Sequence, residues 1–337
     1  MALTTVPLGN TGMAITRVGF GTWAAGGGGW AFSWGPQDDE ESLAAIHHAV
    51  ESGVNWVDTA PVYGLGHSEE VVGRALQGLA ERDRPYVFTK CSRVWDEADR
   101  SKPPRSVGAP ESIRAEVEAS LRRLQVERLD LVQMHWPAFD VALEDYWATL
   151  LALKEEGKVR AAGLCNHNLS QLEAAEALGH VDTLQPPFSA IKRGAAGEIA
   201  WCLDHSTGVI AYSPMQAGLL TGAFSADRLK GLPKEDWRTR DAEFSGDRLL
   251  RNLDLADALR PVADRHGTTL AAVAVAWVLA WKGVTGAIVG ARHPDQVDGW
   301  LPAAVLELSA GELDEIASAI EATRPDAGPV HPARQSA

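Results

Sequence analysis

The sequence predicts a closed (β/α)8 barrel, the TIM-barrel architecture, from three observations. The chain has 337 residues, which is an ordinary length for one large barrel of this kind. Short apolar strands alternate with helices eight times at even spacing, and strands separated by helices pair in parallel because each crossover returns the chain to the same end of the sheet. No break in composition marks a linker, so residues 1–323 are expected to form one domain.

The strands are read from short apolar runs bounded by turn residues. The segment TTVPLGNTG is typical of an N-terminal hairpin turned at Asn10–Gly12, and the first barrel strand is expected near Thr16–Gly21. The strands predicted after it, in chain order, are VNWVD, PYVFTK, RLDLVQMHW, KVRAAGLCN, VDTLQ, GVIAYSP and TGAIVG.

The helices are read from apolar residues at helical spacing together with start and stop signals. DDEESLAAIHHAVESG has acids in its first turn and ends at Gly53, and APESIRAEVEASLRRL has Pro110 and Glu111 in its opening turn. The other predicted helices are HSEEVVGRALQGL, ALEDYWATLLALKEEG, LSQLEAAEAL, a segment near Ala196–His205, segments within Leu249–His266 and Leu270–Trp281, and a closing helix from Pro294.

Three segments exceed the usual short connections between elements. Ser92–Ala109 and Phe224–Gly246 each follow a predicted strand, so both are expected as long loops at the C-terminal face, where barrels carry their chemistry. The third is the tail RPDAGPVHPARQSA, residues 324–337. Its content of proline and small residues predicts partial disorder.

Composition and charge exclude several classes of protein. A net charge of −14 opposes binding to nucleic acid, whose phosphates it would repel. No apolar run approaches the ~20 residues of a membrane-spanning helix, and the N-terminus lacks the pattern of a signal peptide. The three cysteines, Cys91, Cys165 and Cys202, are too far apart for a zinc site or a disulfide framework and are expected as reduced thiols in a cytoplasmic protein.

One motif is misleading. Residues Gly19–Ala24 fit the GxGxxA pattern of a dinucleotide-binding turn, but that pattern works only where the glycines open a helix. Here GGGGWAFSWGPQ follows, and a glycine run with bulky aromatics is not expected to be helical. The glycine run is interpreted instead as a loop that lets backbone and tryptophans line a mouth, with a merely flexible loop as the alternative.

Polar side chains stand at the ends of consecutive predicted strands. An acid, a phenol, an ammonium and an imidazole come first in chain order, followed by two amides and a second phenol. In a barrel such positions point into the mouth at the C-terminal face. Taken alone, Asp58 or Lys90 is equally well explained as a satisfied buried polar group, and a lone histidine is better explained so, but four such residues in succession favour a catalytic site. These residues are Asp58, Tyr63, Lys90, His135, Asn166, Gln185 and Tyr212.

The first four residues can transfer a proton to or from a carbonyl or alcohol oxygen. Tyr63 is a poor acid at its usual pKa, and the ammonium of Lys90 is expected to lower that pKa. Asp58 would orient and balance Lys90, while His135 would donate a hydrogen bond to a substrate oxygen. The set contains neither a nucleophile–base pair for acyl transfer nor a cluster spaced for a metal.

With these residues in place, the chain resembles the aldo-keto reductase family along nearly its whole length. The matching segments are PLGNTGMAITRVGFGTW, DTAPVYGLGHSEEVVGRAL, DLVQMHWP, YSPMQAGLLTG and AIVGARHPDQV. The resemblance implies that Asp58, Tyr63, Lys90 and His135 form the catalytic tetrad of the family. Tyr63 is then the general acid in reduction.

The resemblance also implies a nicotinamide cofactor, NADP(H) in preference to NAD(H). Asn166 and Gln185 would hold the nicotinamide carboxamide, Tyr212 would stack on its ring, and Thr22 and Trp23 would lie beside it. The residues expected along the pyrophosphate are Ser213, Gln216, Gly218 and Leu220. Those expected at the adenosine 2′-phosphate are Gly290, Ala291, Arg292 and Gln296.

The sequence departs from the family pattern at a few of these positions. Cys165 stands where many members have serine before the carboxamide-binding asparagine, and His167, in the stretch CNHN, has no assigned role. Gly299 and Trp300 replace the Glu and Asn that often meet the adenine ribose and base.

The substrate is expected to be a small carbonyl compound or sugar in an aromatic pocket. The tryptophans expected to line it are Trp23, Trp30, Trp34, Trp95 and Trp136. The resulting prediction is an NADP(H)-dependent reductase of aldehydes or ketones. The alternatives are an NAD(P)-dependent sugar or secondary-alcohol dehydrogenase working in the oxidative direction, and a cofactor-binding regulatory subunit with little turnover. The sequence does not predict an oligomeric state.

Overall fold

Eight parallel strands form a closed barrel in the structure, a computed structural model that describes residues 3–332. An antiparallel hairpin of β1 (Thr5–Pro7) and β2 (Ala14–Thr16) comes before it. The barrel strands are β3 (Val18–Gly21), β4 (Trp56–Asp58), β5 (Tyr86–Cys91), β8 (Leu129–Met134), β9 (Val159–Cys165), β10 (Thr183–Gln185), β11 (Gly208–Ala211) and β12 (Val284–Gly290). Two short strands of the loop after β5, β6 (Arg93–Val94) and β7 (Arg105–Ser106), pair outside the barrel.

The strands follow one another around the barrel in chain order, and β12 closes it by pairing with β3. Gly290 lies opposite Gly21, and Gly21 lies opposite Asp58. Further round the barrel, Lys90 lies opposite Gln133. The carboxyl ends of all eight strands therefore meet at one face, and the predicted (β/α)8 barrel with its N-terminal hairpin is confirmed.

Helices surround the barrel and bury its outer surface. They are α1 (Asp39–Glu51), α2 (His67–Gln77), α3 (Pro110–Leu124), α4 (Leu143–Glu155), α5 (Leu169–Glu176), α6 (Ala196–Asp204), α7 (Ala226–Lys230), α8 (Gly246–Ala258), α9 (Arg260–His266), α10 (Leu270–Leu279), α11 (Pro294–Trp300) and α12 (Ala310–Thr323). Helix α10, LAAVAVAWVL, is buried on every side, which is the property of an apolar helix inside a core.

The closing segment differs from the single helix predicted from Pro294. It consists of α11, a 3-10 turn over Leu301–Ala304, and α12. Pro302 lies in that turn, and proline cannot donate the backbone hydrogen bond that would continue a helix. Trp300 is 1% exposed and belongs to the main core. Its indole therefore packs against the barrel and is not available to stack on the adenine of a cofactor.

A separate apolar cluster fills the interior of the barrel. Trp56 and Phe88 pack there with Leu131, and the hairpin region supplies Leu8 and Ile15 from the N-terminal end. The interior is thus a packed core and not a channel. The hairpin closes the end opposite the carboxyl ends of the strands.

The packing inside the barrel accounts for the misleading glycine motif. A Cβ on Gly19 would lie 2.1 Å from the Trp56 ring, and one on Gly21 would lie 2.7 Å from Ile288 Cγ2. Both glycines are therefore required by large side chains in the interior. The glycine-rich segment that follows them is not an α-helix, as predicted.

The two long loops lie at the C-terminal face, as the sequence predicts. Ser92–Ala109 contains the β6–β7 ribbon. The second loop, Phe224–Gly246, contains α7 and two 3-10 turns, Trp237–Arg240 and Ala242–Phe244.

The described part of the tail lies against the barrel. The Arg193 side chain donates to the carbonyl oxygen of Asp326, and a Cβ on Gly328 would lie 2.8 Å from the Arg193 Cβ. The disorder predicted for the tail falls partly on residues 333–337, which lie outside the described residues. That prediction and the domain boundary at residue 323 stay predictions. Within residues 3–332, every helix is too short or too polar to cross a bilayer.

Candidate active site

The centre of the site is an ion pair buried between neighbouring strands. Asp58 ends β4 and Lys90 lies near the end of β5, with exposures of 2% and 1%. Lys90 Nζ lies 2.6 Å from Asp58 Oδ1 and also donates to the Thr59 carbonyl oxygen at 2.9 Å. Burial alone would lower the pKa of Lys90, but Asp58 and Tyr63 raise it above its ordinary value. The ammonium therefore stays charged.

Tyr63 lies in the loop after β4, directly beside this pair. Lys90 Nζ is 5.2 Å from the centroid of its ring. Burial raises the pKa of Tyr63 to about 12, since desolvation outweighs the ammonium, which lowers it. The expected lowering of the phenol pKa by Lys90 is therefore present but smaller than the effect of burial. Tyr63 is protonated at neutral pH.

His135 follows β8 directly and meets Tyr63 edge to face, with ring centroids 5.9 Å apart. Burial, with the charges of Lys90 and Arg93, holds the pKa of His135 well below its ordinary value, so the imidazole is neutral. Its Nδ1 is buried without a hydrogen-bond partner among the described residues. The predicted set of Asp58, Tyr63, Lys90 and His135 is thus brought together at one point.

Gln133, in the barrel strand β8, helps to orient Gln185 at the end of β10. Gln185 Nε2 donates to Asp58 Oδ2 at 2.9 Å and to Gln133 Oε1 at 2.7 Å, and Gln133 Nε2 in turn donates to Thr183 Oγ1. Both amide protons of Gln185 are therefore used inside the protein, and Oε1, which accepts from the Cys165 thiol at 3.8 Å, keeps one lone pair for a ligand. Sequence reasoning missed Gln133, although a glutamine inside the apolar strand RLDLVQMHW could have indicated it.

Asn166 follows β9 and has a left-handed backbone, with φ of 62°. Its Nδ2 donates to the His135 carbonyl oxygen at 2.9 Å and contacts the Cys165 sulfur at 3.1 Å. Its Oδ1 accepts from the Tyr212 hydroxyl at 2.8 Å. Asn166 thus joins the ends of three strands, and Tyr212 is held with its ring beside the same amide.

The loop after β11 has an unusual backbone. Gln216, Ala217 and Gly218 have consecutive positive φ angles of 45°, 52° and 99°, and Ser213 has 56°. Within the loop, the Gln216 N–H donates to the Ser213 carbonyl oxygen at 2.9 Å and the Gly218 N–H donates to the Met215 carbonyl oxygen at 3.2 Å. This is the loop predicted along the pyrophosphate.

Arg238, which sequence reasoning did not single out, faces this loop. Its Nη1 lies 3.9 Å from the place of a Cβ on Gly218 and 3.4 Å from the Ala217 carbonyl oxygen. Asp236 orients the guanidinium through two contacts, at 3.0 and 2.7 Å. The spacing of acid and arginine in DWR is the only signal that the sequence offered.

Two residues predicted to contact the cofactor are completely buried. Thr22 donates from Oγ1 to the Asp58 carbonyl oxygen at 3.0 Å and pairs with the Ser68 hydroxyl at 2.8 Å. Leu220 is part of the main core. Since both residues have 0% exposure, side chain and backbone alike, neither offers a surface to a ligand.

The group predicted at the 2′-phosphate lies after β12, at the start of α11. Gln296 Oε1 accepts from the Arg292 backbone N–H at 2.8 Å. The Arg292 guanidinium, however, binds the glycine-rich loop: it donates to Gln37 Oε1 at 2.6 Å and to the Pro36 carbonyl oxygen. Ala291 is 7% exposed and Gly290 ends the strand. The contact between Gln37 and Arg292 was missed because Gln37 lies in a loop segment, GGGGWAFSWGPQ, that has neither helical nor strand periodicity.

The predicted substrate tryptophans divide into two groups. Trp23 stacks against Tyr63 with ring centroids 6.0 Å apart and meets Trp34 edge to face at 5.2 Å. Trp237, from the loop Phe224–Gly246, stacks on the other side of Trp23 at 5.3 Å. The structure therefore builds an aromatic cluster of Trp23, Trp34 and Trp237 next to the phenol.

The other three tryptophans are not stacked in this cluster, although Trp23 and Tyr63 pack against the apolar group that contains Trp30. Trp30 is 5% exposed and packs against Ala60 and Val62. Trp95 is bonded through Nε1 to Glu97 in its own loop, and Trp136 is 44% exposed just after His135.

The chain is similar to known proteins over nearly its whole length. Residues 17–321 match the Aldo/keto reductase family. The chain is 34% identical over 332 residues to the NADH-specific methylglyoxal reductase of Escherichia coli (strain K12), covering 94% of this chain and 99% of that protein. It is 31% identical over 331 residues to the aldo-keto reductase YhdN of Bacillus subtilis (strain 168), covering 96% and 95%.

Among solved structures, the glycerol dehydrogenase AKR11B4 from Gluconobacter oxydans superposes with a TM-score of 0.87 at 34% identity, covering 97% of this chain and 98% of that one. The family match spans nearly the whole barrel, and the relatives share its full length. The chain therefore belongs to the aldo/keto reductase family of NAD(P)H-dependent oxidoreductases.

Proposed function

We propose that the protein reduces the carbonyl group of an aldehyde or ketone to an alcohol, with Tyr63 as the proton donor. The observation that carries the proposal is the position of Tyr63 between the buried Asp58–Lys90 pair and the neutral imidazole of His135. Each of the four groups has one task in such a reaction, and none duplicates another.

The residues present fit a nicotinamide cofactor. Gln185 Oε1 and Asn166 Oδ1 each keep one lone pair that can accept from a carboxamide N–H, the Tyr212 ring offers an aromatic face, and Arg238 lies beside the loop of positive φ angles. The nicotinamide, when bound, supplies the hydride. The protein supplies orientation, exclusion of water and the proton.

Proton transfer follows from the charges around the phenol. A carbonyl oxygen that gains negative charge accepts a hydrogen bond from the neutral imidazole of His135 and the proton of Tyr63. The phenolate that remains is stabilised by the Lys90 ammonium, whose Nζ lies 5.2 Å from its ring centroid. Asp58 keeps that ammonium in place.

The protonation state of Tyr63 favours the reductive direction. With a pKa of about 12, the phenol is an acid ready to donate at neutral pH and a base only at high pH. The oxidation of an alcohol needs the phenolate, so it should rise with pH, whereas reduction should not depend on this group below its pKa. The alternative is the oxidation of a polyol, and it is supported by the similarity of this chain to a glycerol dehydrogenase.

We propose NADPH as the preferred donor, with NADH as the alternative. Arg292 and Gln296 at the start of α11 suit a 2′-phosphate through charge and the helix N-terminus. Against this, Arg292 is engaged by Gln37, and the similar Escherichia coli enzyme is NADH-specific. The substrate we expect is a small aldehyde or ketone, since Trp23 stacks on Tyr63 and Trp34 and Trp237 pack on Trp23.

A matched pair of proteins tests the proposal. Methylglyoxal and other small carbonyl compounds are supplied with each cofactor to wild type and to Tyr63→Phe, and consumption is read at the absorbance band of the reduced cofactor. Wild type should turn over, and Tyr63→Phe should lose at least about 10²-fold in kcat, the low end for general acid catalysis. Cofactor binding, read by quenching of tryptophan fluorescence, should be retained. Undiminished turnover in the variant would remove Tyr63 from the mechanism.

A further inference from the structure

His167 is a buried residue of the site to which the proposed reaction gives no task. It follows Asn166 directly and is 3% exposed. Its Nδ1 lies 2.8 Å from the carbonyl oxygen of Cys165, and its Nε2 lies 2.8 Å from the hydroxyl of Tyr146. Both ring nitrogens are therefore engaged, one by backbone and one by a distant helix.

These partners settle which nitrogen carries the proton. A carbonyl oxygen only accepts, so Nδ1 is protonated and donates to Cys165. Burial lowers the pKa of His167 to about 4, so the ring is neutral and Nε2 accepts from the Tyr146 hydroxyl. The chain of hydrogen bonds has one direction, from Tyr146 through His167 to the Cys165 carbonyl oxygen.

Tyr146 is anchored independently of the site. It lies in α4, is 1% exposed, and meets His167 edge to face with ring centroids 5.9 Å apart. Its position is therefore fixed by the packing of a helix on the outside of the barrel. Through its hydroxyl, Tyr146 connects helix α4 to His167 at the C-terminal face of the barrel.

The acceptor of this chain belongs to the peptide bond that joins Cys165 to Asn166. Asn166 has φ of 62°, a left-handed conformation that needs support in any residue other than glycine. From this conformation the Asn166 side chain reaches both the His135 carbonyl oxygen and the Tyr212 hydroxyl. A rotation of the peptide bond would move the amide away from both.

We propose that Tyr146 and His167 are positioning residues that hold Asn166 in the backbone conformation from which its amide meets the nicotinamide carboxamide. This inference rests on the proposed function, because it assigns the amide a cofactor to bind. A pair that only filled the core would affect the stability of the protein and the binding of all ligands alike. A positioning pair affects the nicotinamide end alone.

Binding of two ligands to the intact protein separates these cases. NADPH carries the nicotinamide, and 2′-phosphorylated ADP-ribose has the same adenosine and pyrophosphate groups without it. In His167→Phe, which fills the space but makes neither hydrogen bond, the Kd of NADPH should rise about tenfold. The Kd of 2′-phosphorylated ADP-ribose should stay within about twofold of that of wild type.

Three further variants locate the effect. His167→Asn retains a donor for the Cys165 carbonyl oxygen and should restore most of the NADPH affinity. Tyr146→Phe keeps the His167–Cys165 bond and should weaken NADPH binding by about threefold, as expected for loss of one supporting hydrogen bond. The double variant Tyr146→Phe/His167→Phe should be no weaker than His167→Phe, because both residues act through one chain of bonds. If one of these three further variants does not fold, the remaining two test the inference.

The outcomes are distinct. Equal weakening of NADPH and 2′-phosphorylated ADP-ribose, or unchanged NADPH binding in both His167→Phe and Tyr146→Phe, would overturn the positioning role while leaving the proposed reaction intact. Wild type that binds neither NADPH nor NADH would instead overturn the proposed function, and the inference with it.

Discussion

Gln37 and Arg292 bind each other across the mouth of the barrel, although 255 residues separate them. Arg292 Nε donates to Gln37 Oε1 at 2.6 Å, and Gln37 Nε2 donates to the Arg292 carbonyl oxygen at 2.8 Å. The Pro36 carbonyl oxygen accepts from Nη2 of the same guanidinium. The Nε–Nη2 edge, which grips a phosphate with two parallel hydrogen bonds, is thus occupied by the glycine-rich loop.

Removing the Gln37 side chain should therefore favour NADPH over NADH. In Gln37→Ala the guanidinium gives up one fewer protein hydrogen bond when it turns to a 2′-phosphate, so the ratio of NADPH to NADH affinity should rise about fivefold, the worth of ~1 kcal/mol. The measurement is fluorescence titration of both cofactors. NADH affinity serves as the internal control and should change little.

Gln37→Glu is the matched opposite of that variant. A carboxylate at this position would pair with Arg292 more strongly than the amide does and would repel a phosphate. The affinity ratio should fall below that of wild type. Ratios that move in the same direction in Gln37→Ala and Gln37→Glu would show that Arg292 does not select the cofactor.

The Asp58–Lys90 pair should stabilise the fold as a unit. Lys90→Met leaves a buried carboxylate without its ammonium and should lower the free energy of unfolding by about 3–5 kcal/mol. Asp58→Asn/Lys90→Met removes both charges, so it should recover most of this loss although it remains inactive. Urea unfolding of wild type, the two single variants and the double variant measures the coupling. Additive losses would mean that the two charges do not depend on each other.

The residues at the strand ends could be predicted to converge because their placement depends only on their position at the end of a strand. Asp58, Lys90 and Gln185 lie in the last residues of their strands, and His135 and Asn166 follow theirs directly. In a parallel barrel this position brings them to one face whatever the details of packing. The fold and the convergence of the site followed from the same regularity.

What the sequence could not predict depends on burial and on contacts between loops. Burial raises the pKa of Tyr63 and the charge of Lys90 lowers it. Which effect is larger depends on the depth of burial, which only the structure gives. Gln37 and Trp237 lie in segments without periodicity, where no sequence pattern indicates a partner. Thr22 was predicted beside the nicotinamide, and its contact with the Asp58 carbonyl oxygen and its complete burial could not be predicted from a strand end.

Trp237 should fasten the loop Phe224–Gly246 to the mouth. Its ring stacks on Trp23 with an interplanar angle of 15° and meets Trp34 edge to face at 5.4 Å. In Trp237→Ala this contact is lost, and tryptic cleavage at the exposed Lys230 and Lys234 should accelerate about tenfold, for a loss of ~1.4 kcal/mol in local stability. Trp237→Phe keeps an aromatic ring and should be cleaved at nearly the wild-type rate.

Kinetics give an independent reading of the same variant. If the loop covers bound ligands, the KM for the carbonyl substrate should rise in Trp237→Ala while thermal unfolding of the whole protein changes little. Faster cleavage together with an unchanged KM would show that the loop is held by Trp237 but does not cover the substrate.

Glu116 makes the stability of the protein depend on pH near neutrality. It lies in α3 and accepts from Ser112 Oγ at 3.2 Å. Burial raises the pKa of Glu116 to about 7, against the lowering effect of hydrogen bonds from Ser112 and from the backbone of Ser92 and Arg93. The folded protein therefore holds a proton on this residue that the unfolded chain releases near pH 4.5.

The sign of the effect follows from that difference in pKa. The stabilisation is complete below the unfolded pKa, and it is lost as pH rises through the folded pKa, because the unfolded state gives up its proton first. The contribution of Glu116 to the free energy of unfolding should fall by about 1–3 kcal/mol between pH 4.5 and 7.5. Glu116→Gln carries no titrating group, so the difference between its stability and that of wild type, measured by urea unfolding across this range, should grow with pH in favour of the variant. A difference that stays constant would place the pKa of Glu116 near that of an exposed carboxyl.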